Sequence, residues 1–265
     1  MPFAYALALE EITTRFDAVV IDEAQDLTAE GWMPIEMLLA DDASKFFLFS
    51  DTNQRLFSTM NDIPDLSPPF LLYSNCRNTK AIHEAAYQDY EGPEILPPSI
   101  EGDPVLIITE GKISDQIQKT ETIVSDLIHQ QGVSPEDIIV LVADSITAQD
   151  KFNWLCDNTN RVKYAESELV INGSVRVSTV KKFKGLEAAI VILWGATEVP
   201  DYDRQEIHYV GVSRAKAICY LVNWWLSDSA NDCHRSSDGY QREQRLPTTG
   251  SVNGRWIADQ SILFI

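Results

Sequence analysis

"VVIDEAQDL", residues 19–27, sets three carboxylates, Asp22, Glu23 and Asp26, directly behind a run of aliphatic residues. In an α/β sheet the carboxyl ends of the strands are where ligands bind. An aspartate at such an end can hold Mg2+ through water, and a neighbouring glutamate can orient or deprotonate an attacking water. The same residues also read as an acidic helix start, with Asp26 capping a helix from Leu27 onwards. Either way, a strand ends at Asp22, and the organisation of the chain follows from it.

Further strands are expected at "FFLFSD" (46–51), "FLLYSN" (70–75), "PVLIITE" (104–110), "IIVLVAD" (138–144), "VRVSTV" (175–180), "AIVILWG" (189–195) and "AICYLVNW" (217–224). Most are continuous apolar runs, as in strands covered on both faces. Between them, Ile113, Ile117, Val124, Leu127 and Ile128 follow helical spacing, and "QQG" closes that helix. Strands alternating with helices predict an open parallel α/β sheet. The proline-rich "DIPDLSPPF" (62–70) predicts a boundary. From Ser227 the chain is polar and aperiodic, and a disordered tail is expected, with an isolated apolar "WIADQSILFI" at its end.

The bulk numbers fit a globular protein: 265 residues, 45% hydrophobic and 23% charged. No apolar run reaches the length of a membrane span, and residues 1–12 lack a basic start and a cleavage site. Cys76, Cys156, Cys219 and Cys233 show no CxxC spacing and read as reduced thiols of a cytoplasmic protein. A net charge of −19 and a pI near 4.5 argue against broad, non-specific nucleic-acid binding, which runs on phosphate neutralisation. A narrow basic track on an acidic body remains compatible with them.

More polar groups stand at the expected strand ends. "FSDTNQRLF" (49–57) carries Asp51 and Gln54, and "LLYSNCRNT" (71–79) carries Arg77. "STVKKFKGLE" (178–187) is a Lys/Gly turn expected to open into a helix, and "IHYVGVSRAK" (207–216) sets Arg214 and Lys216 a turn apart on a predicted helix. Each alone is most simply a solvated surface feature. In this order they resemble the UvrD/Rep-like branch of the superfamily 1 DNA helicases, over about residues 14–224.

The resemblance implies ATP and Mg2+ at a cleft between two RecA-like domains, with single-stranded DNA as partner. Asp22 is then similar to the Walker B ligand of Mg2+ and Glu23 to the catalytic base. Gln25 would lie near the γ-phosphate, and Gln54 would link that phosphate to the DNA-gripping loops. Arg77 and Arg214 resemble the two arginines that neutralise charge on the transferred phosphoryl group. Glu187, with Gly185 in the same motif, looks like the ribose contact. Thr179 and Lys181 are similar to residues near the DNA path. Cys76 stands where the family often has an adenine-stacking Tyr, and Lys181 replaces its usual His.

A P-loop, G-x-x-x-x-G-K-S/T, is absent; "ITEGKIS" (108–114) lacks the first glycine and has Ile113 where Mg2+ needs a hydroxyl. Only 21 residues precede Asp22, whereas the family's P-loop lies far upstream of Walker B. The expected organisation is therefore the C-terminal part of a first RecA-like domain (1–66), a complete second one (67–226) and the tail (227–265). A separate chain supplying the P-loop half is one expected partner, and this chain alone is expected to be inactive. The stretch between Arg77 and Thr179 has room for one compact α/β domain and not for a large helical insertion. Two other readings stay open: a non-catalytic, degenerate helicase module that binds DNA or a protein, and a metal-dependent nuclease built on residues 22–26.

Overall fold

The computed structural model describes residues 13–54, 70–88, 90, 93–143, 148–158, 162–195, 199, 201–222 and 256–259, with residues 7, 8 and 11. These fall into two compact units. One comprises residues up to Tyr73 together with those from Cys233 on; the other spans Ser74–Asp232. The predicted boundary at 62–70, apart from Phe70, and the predicted tail at 227–265, apart from Trp256–Asp259, lie outside the described residues.

The first unit holds β1 (Ala18–Ile21), a 3-10 turn at Ala24–Asp26, α1 (Ala29–Glu36) and β2 (Lys45–Ser50). β1 and β2 pair in parallel, and β2 pairs in parallel with β9 (Trp256–Asp259), which lies in the apolar "WIADQSILFI" where the sequence predicts only an isolated end of a disordered tail. Its core is small: Ala24, Trp32, Phe46 and Leu48, with Trp32 edge-on to Phe46. Alternate residues of β1 face outwards, so Val20 is 63% exposed.

The second unit is a six-stranded parallel sheet in the order β3-β8-β7-β4-β6-β5. Its strands are β3 (Leu106–Ile108), β4 (Ile138–Val142), β5 (Tyr164–Glu166), β6 (Val175–Thr179), β7 (Ala188–Trp194) and β8 (Ala215–Val222). Helices α2 (Lys80–Ala86), α3 (Ile113–His129), α4 (Ala148–Asn158) and α5 (Asp201–Ser213) flank it. α3 and α4 close one face: Ile117, Val124, Leu127 and Leu155 join Ile138, Val140, Ile190 and Trp194 in one core. α5 lies on the other face, where Gly211 sits against Leu193. Every residue of β4 is buried, which accounts for the unbroken "IIVLV". Gly132 follows α3 at φ 71, and the Val133 N–H returns to the Leu127 carbonyl at 2.9 Å, which closes the helix end.

The parallel α/β architecture is the one expected. "FLLYSN" differs: it forms no strand, only a bridge from Ser74 to Leu96. The stretch between Arg77 and Thr179 contributes α2, β3, α3, β4, α4, β5 and β6, and the strands β7 and β8 that complete the sheet follow it.

Trp194 ends β7 fully buried, and its indole N–H donates to Gln116 Oε1 at 2.8 Å. Trp194→Phe removes that donor and leaves an enclosed carbonyl oxygen. The expected loss is about 1–3 kcal/mol, read as a lower urea midpoint at unchanged slope. Gln116→Leu in the same background should recover only a small part of it, because the orphaned oxygen is then gone but the Glu110 carbonyl loses the Gln116 Nε2 donor.

Candidate nucleotide-handling residues in each unit

In the first unit, β1 delivers Asp22 and Glu23 to its carboxyl end, and the chain turns at once. Glu23 has φ 54 and ψ 40, making it the one non-glycine residue at positive φ among the described residues. That conformation is uncommon for a side chain with a Cβ, and such departures gather at functional sites. Asp22 Oδ1 accepts from the Glu23 backbone N–H at 2.9 Å. Gln25 is only 2% exposed: its Nε2 donates to Glu23 Oε2, and its Oε1 accepts from the Asp51 N–H at 3.0 Å. Asp51 in turn accepts from Gln54 Nε2 at 2.8 Å and from the Asn53 N–H at 3.0 Å.

A continuous chain of hydrogen bonds therefore runs Glu23, Gln25, Asp51, Gln54 across the carboxyl ends of β1 and β2. It brings together the four predicted positions Asp22, Glu23, Gln25 and Gln54. Asp51 is the member whose role sequence reasoning missed; the available signal was that it follows β2 as Asp22 follows β1. The helix-cap reading of Asp26 is overturned: Asp26 lies in the 3-10 turn, α1 begins at Ala29, and Thr28 occupies its N-cap.

In the second unit two predicted helices are corrected. After β6 the chain makes a turn through 180–185 and passes directly into β7, so "KGLE" opens into a strand. Gly185 sits at φ 82 in that turn, where a side chain would be strained. α5 stops at Ser213; Arg214 follows the helix and Lys216 is on β8. The helical period of "HYVGV" ends because the Arg214 carbonyl is taken by the Ala188 N–H at 3.0 Å, beginning the strand ladder.

Thr179 ends β6, buried, with its hydroxyl accepting from the Lys182 N–H at 3.2 Å and its carbonyl from the Phe183 N–H at 3.0 Å. It thereby fixes the start of the turn. Lys181 lies 3.9 Å from Asp203, half-exposed. Glu187 lies at the other end of the turn, between Arg77 (3.5 Å) and Lys216. Arg214 is 1% exposed, which removes the reading of a solvated helix residue. Its Nε donates to the Val210 carbonyl at 3.2 Å and its Nη2 to Ser213 Oγ at 3.1 Å. A guanidinium on the last carbonyls of α5 also meets the negative end of the helix dipole. Thus Arg77, Glu187 and Lys216 form one cluster, with Arg214 buried in the segment beside it. Cys76 is exposed, whereas Cys219 is enclosed and its thiol is pushed up to about 12 by burial.

Among the described residues no group of three or more His, Cys, Asp or Glu could hold a metal ion by itself. Mg2+ brought in by phosphates needs only one or two carboxylates and keeps several waters, and Asp22 stands exposed at a strand end. At "ITEGKIS" the loop after β3 is held by Gln116, whose Nε2 donates to the Glu110 carbonyl at 3.2 Å. No helix among the described residues is long and apolar enough to cross a membrane.

Residues 174–222 match the family model of the UvrD-like helicase C-terminal domain. The match contains Thr179, Lys181, Gly185, Glu187 and Arg214, and does not reach Asp22, Glu23, Gln25, Gln54 or Arg77. No curated protein matches the chain. Among solved structures, the C-terminal domain of a possible DNA helicase from Lactobacillus plantarum WCFS1 is similar at 17% identity and a TM-score of 0.46, over 55% of this chain and 85% of that one. S. cerevisiae Dbp5 bound to RNA and ADP BeF3 is similar at 15% identity and a TM-score of 0.45, over 87% of this chain and 59% of that one.

Proposed function

We propose that this chain, whose residues 174–222 carry the UvrD-like helicase C-terminal match, supplies the hydrolytic and DNA-coupling parts of an ATP-driven translocase on single-stranded DNA. The observation that carries the reading is the buried hydrogen-bond chain from Glu23 through Gln25 and Asp51 to Gln54. A plain acidic turn has no need of two enclosed amides. A phosphate sensor does, because a change at the Glu23 carboxylate reaches Gln54 through rigid partners.

In this reading Asp22 would hold Mg2+, which supplies charge neutralisation on the phosphates when bound. Glu23, oriented by Gln25, takes the proton of the attacking water. Arg77 and Arg214 meet the charge on the transferred phosphoryl group, and Glu187 holds the ribose. Thr179 shapes the turn that presents Lys181 to a DNA phosphate. The phosphate cradle comes from a segment bearing a P-loop, and the two units act as RecA-like halves of one motor. The second reading, a module that binds without hydrolysis, is favoured by one observation, the burial of Arg214.

The test is binding of labelled oligothymidylate to the chain, followed by anisotropy over a salt series. Binding that weakens with salt is expected. Lys181→Ala should reduce the log–log slope by about 0.7, the contribution of one phosphate contact on a single strand. No binding at low salt would overturn the translocase reading.

A further inference from the structure

Between Arg77 and Arg214 lies a set of amide contacts that the motifs do not account for. Asn75 and Asn78 are both buried. Asn75 Oδ1 accepts from the Arg77 backbone N–H at 2.9 Å. Its Nδ2 donates to Asn78 Oδ1 at 2.9 Å and faces His83 Nδ1 at 3.1 Å. Asn78 Nδ2 then donates to the carbonyls of Ser213 (3.0 Å) and Ala215 (2.5 Å), the two residues flanking Arg214. Burial holds His83 below its ordinary range, which favours the neutral ring, and its Nδ1 accepts from Asn75 in the tautomer protonated at Nε2.

We infer that Asn75 and Asn78 are positioning residues: a buried amide relay that locks the Arg77 loop to the Arg214 turn, so that the two backbone segments from which the arginines project keep one fixed spacing. The inference rests on the proposed role of both arginines at one nucleotide. The chemistry of the relay is specific. Only a carboxamide can accept on one side and donate two protons to two carbonyls on the other. At its two ends the relay meets backbone groups, the Arg77 N–H and the carbonyls that flank Arg214, while His83 Nδ1 faces Asn75 in the middle. No side-chain ion pair is used, so salt does not loosen it as it loosens the exposed contacts of Glu187 with Arg77 and Lys216.

The experiment is NMR on the full chain, reading the Nε–Hε signal of Arg214 and the backbone amide of Arg77. Asn78→Asp keeps the shape and the acceptor for Asn75 and removes both donors. It is expected to shift the Arg214 signal and speed its exchange with solvent about tenfold or more, the effect of one lost buried hydrogen bond. Glu187→Gln, which disturbs only the exposed ion pairs, should leave the exchange rate within about twofold. If Asn78→Asp does not fold, Asn78→Ser keeps one donor and gives the same reading at smaller amplitude. An unchanged Arg214 signal in a folded Asn78 variant overturns the relay. Titration of the wild-type chain with Mg2+–ATP separates this from the functional reading: signals of both arginines that ignore nucleotide, with the Asn78 effect present, leave the relay standing and remove its proposed purpose.

Discussion

Turnover of Mg2+–ATP by this chain, mixed with a separately expressed polypeptide carrying a G-x-x-x-x-G-K-S/T loop, is expected to fall about 10²–10⁴-fold when Glu23 is replaced by Gln. Nucleotide affinity should change little, because the substitution removes the proposed base and leaves Asp22, the proposed metal ligand, in place. The geometry makes the replacement conservative. Gln25 Nε2 can donate to the new amide oxygen as it does to Glu23 Oε2, so the chain to Asp51 and Gln54 survives. Gln25→Ala is the contrasting variant: it keeps the base and cuts the chain. It should lower turnover by loss of orientation and also destabilise the first unit, since the Asp51 N–H loses its partner. Alone, the 265-residue chain should stay below about 1 s⁻¹, the lower end of ordinary enzyme turnover. Wild-type turnover by the Glu23→Gln mixture would show that the carboxylates at the end of β1 are not there for hydrolysis. No turnover from any wild-type mixture would favour the binding module.

The contrast between Glu23 and Asn78 shows what the sequence could carry. Strands buried on both faces, such as β4 and β7, announce themselves as continuous β-branched runs. β5, "YAE" at 164–166, has no such run and exists only because β6 offers it an edge. "FLLYSN" has the composition of a strand, yet its continuation into Asn75 and Asn78 puts side-chain amides where a strand would use backbone. The helix continued through "SRAK" was misread because local period says nothing of the distant Ala188 N–H that captures the Arg214 carbonyl. Sites follow the same division. Asp22, Glu23, Gln25 and Gln54 are close in sequence to the strand ends that place them. Asn78 acts on Ser213 and Ala215, contacts that no local pattern encodes. The burial of Arg214 is of this second kind, and it changes how the arginine must be tested.

Arg214→Ala is expected to lower the unfolding free energy of the second unit by roughly 3 kcal/mol, and by no more than about 5. The guanidinium is enclosed, and its removal strips donors from the Val210 carbonyl and Ser213 Oγ at the end of α5 while leaving its volume empty. Arg214→Lys keeps the charge at the negative end of the helix and can still reach one of these oxygens, so about 1–2 kcal/mol is expected. Urea denaturation should show both as lower midpoints with unchanged slopes. Domains of ordinary stability, about 5–15 kcal/mol, remain folded after such losses. Activity in the P-loop mixture can therefore be read separately from folding. An arginine that meets transition-state charge is worth roughly 10³–10⁵ in rate, and Lys does not replace its planar fork. If Arg214 has that role, Arg214→Lys loses turnover far beyond its small unfolded fraction, and the side chain must leave its helix-end contacts during the cycle. If turnover in both variants simply follows the fraction folded, Arg214 is the cap of α5, and Arg77, held by Asn75 and half-exposed beside Glu187, is the arginine that meets the phosphates.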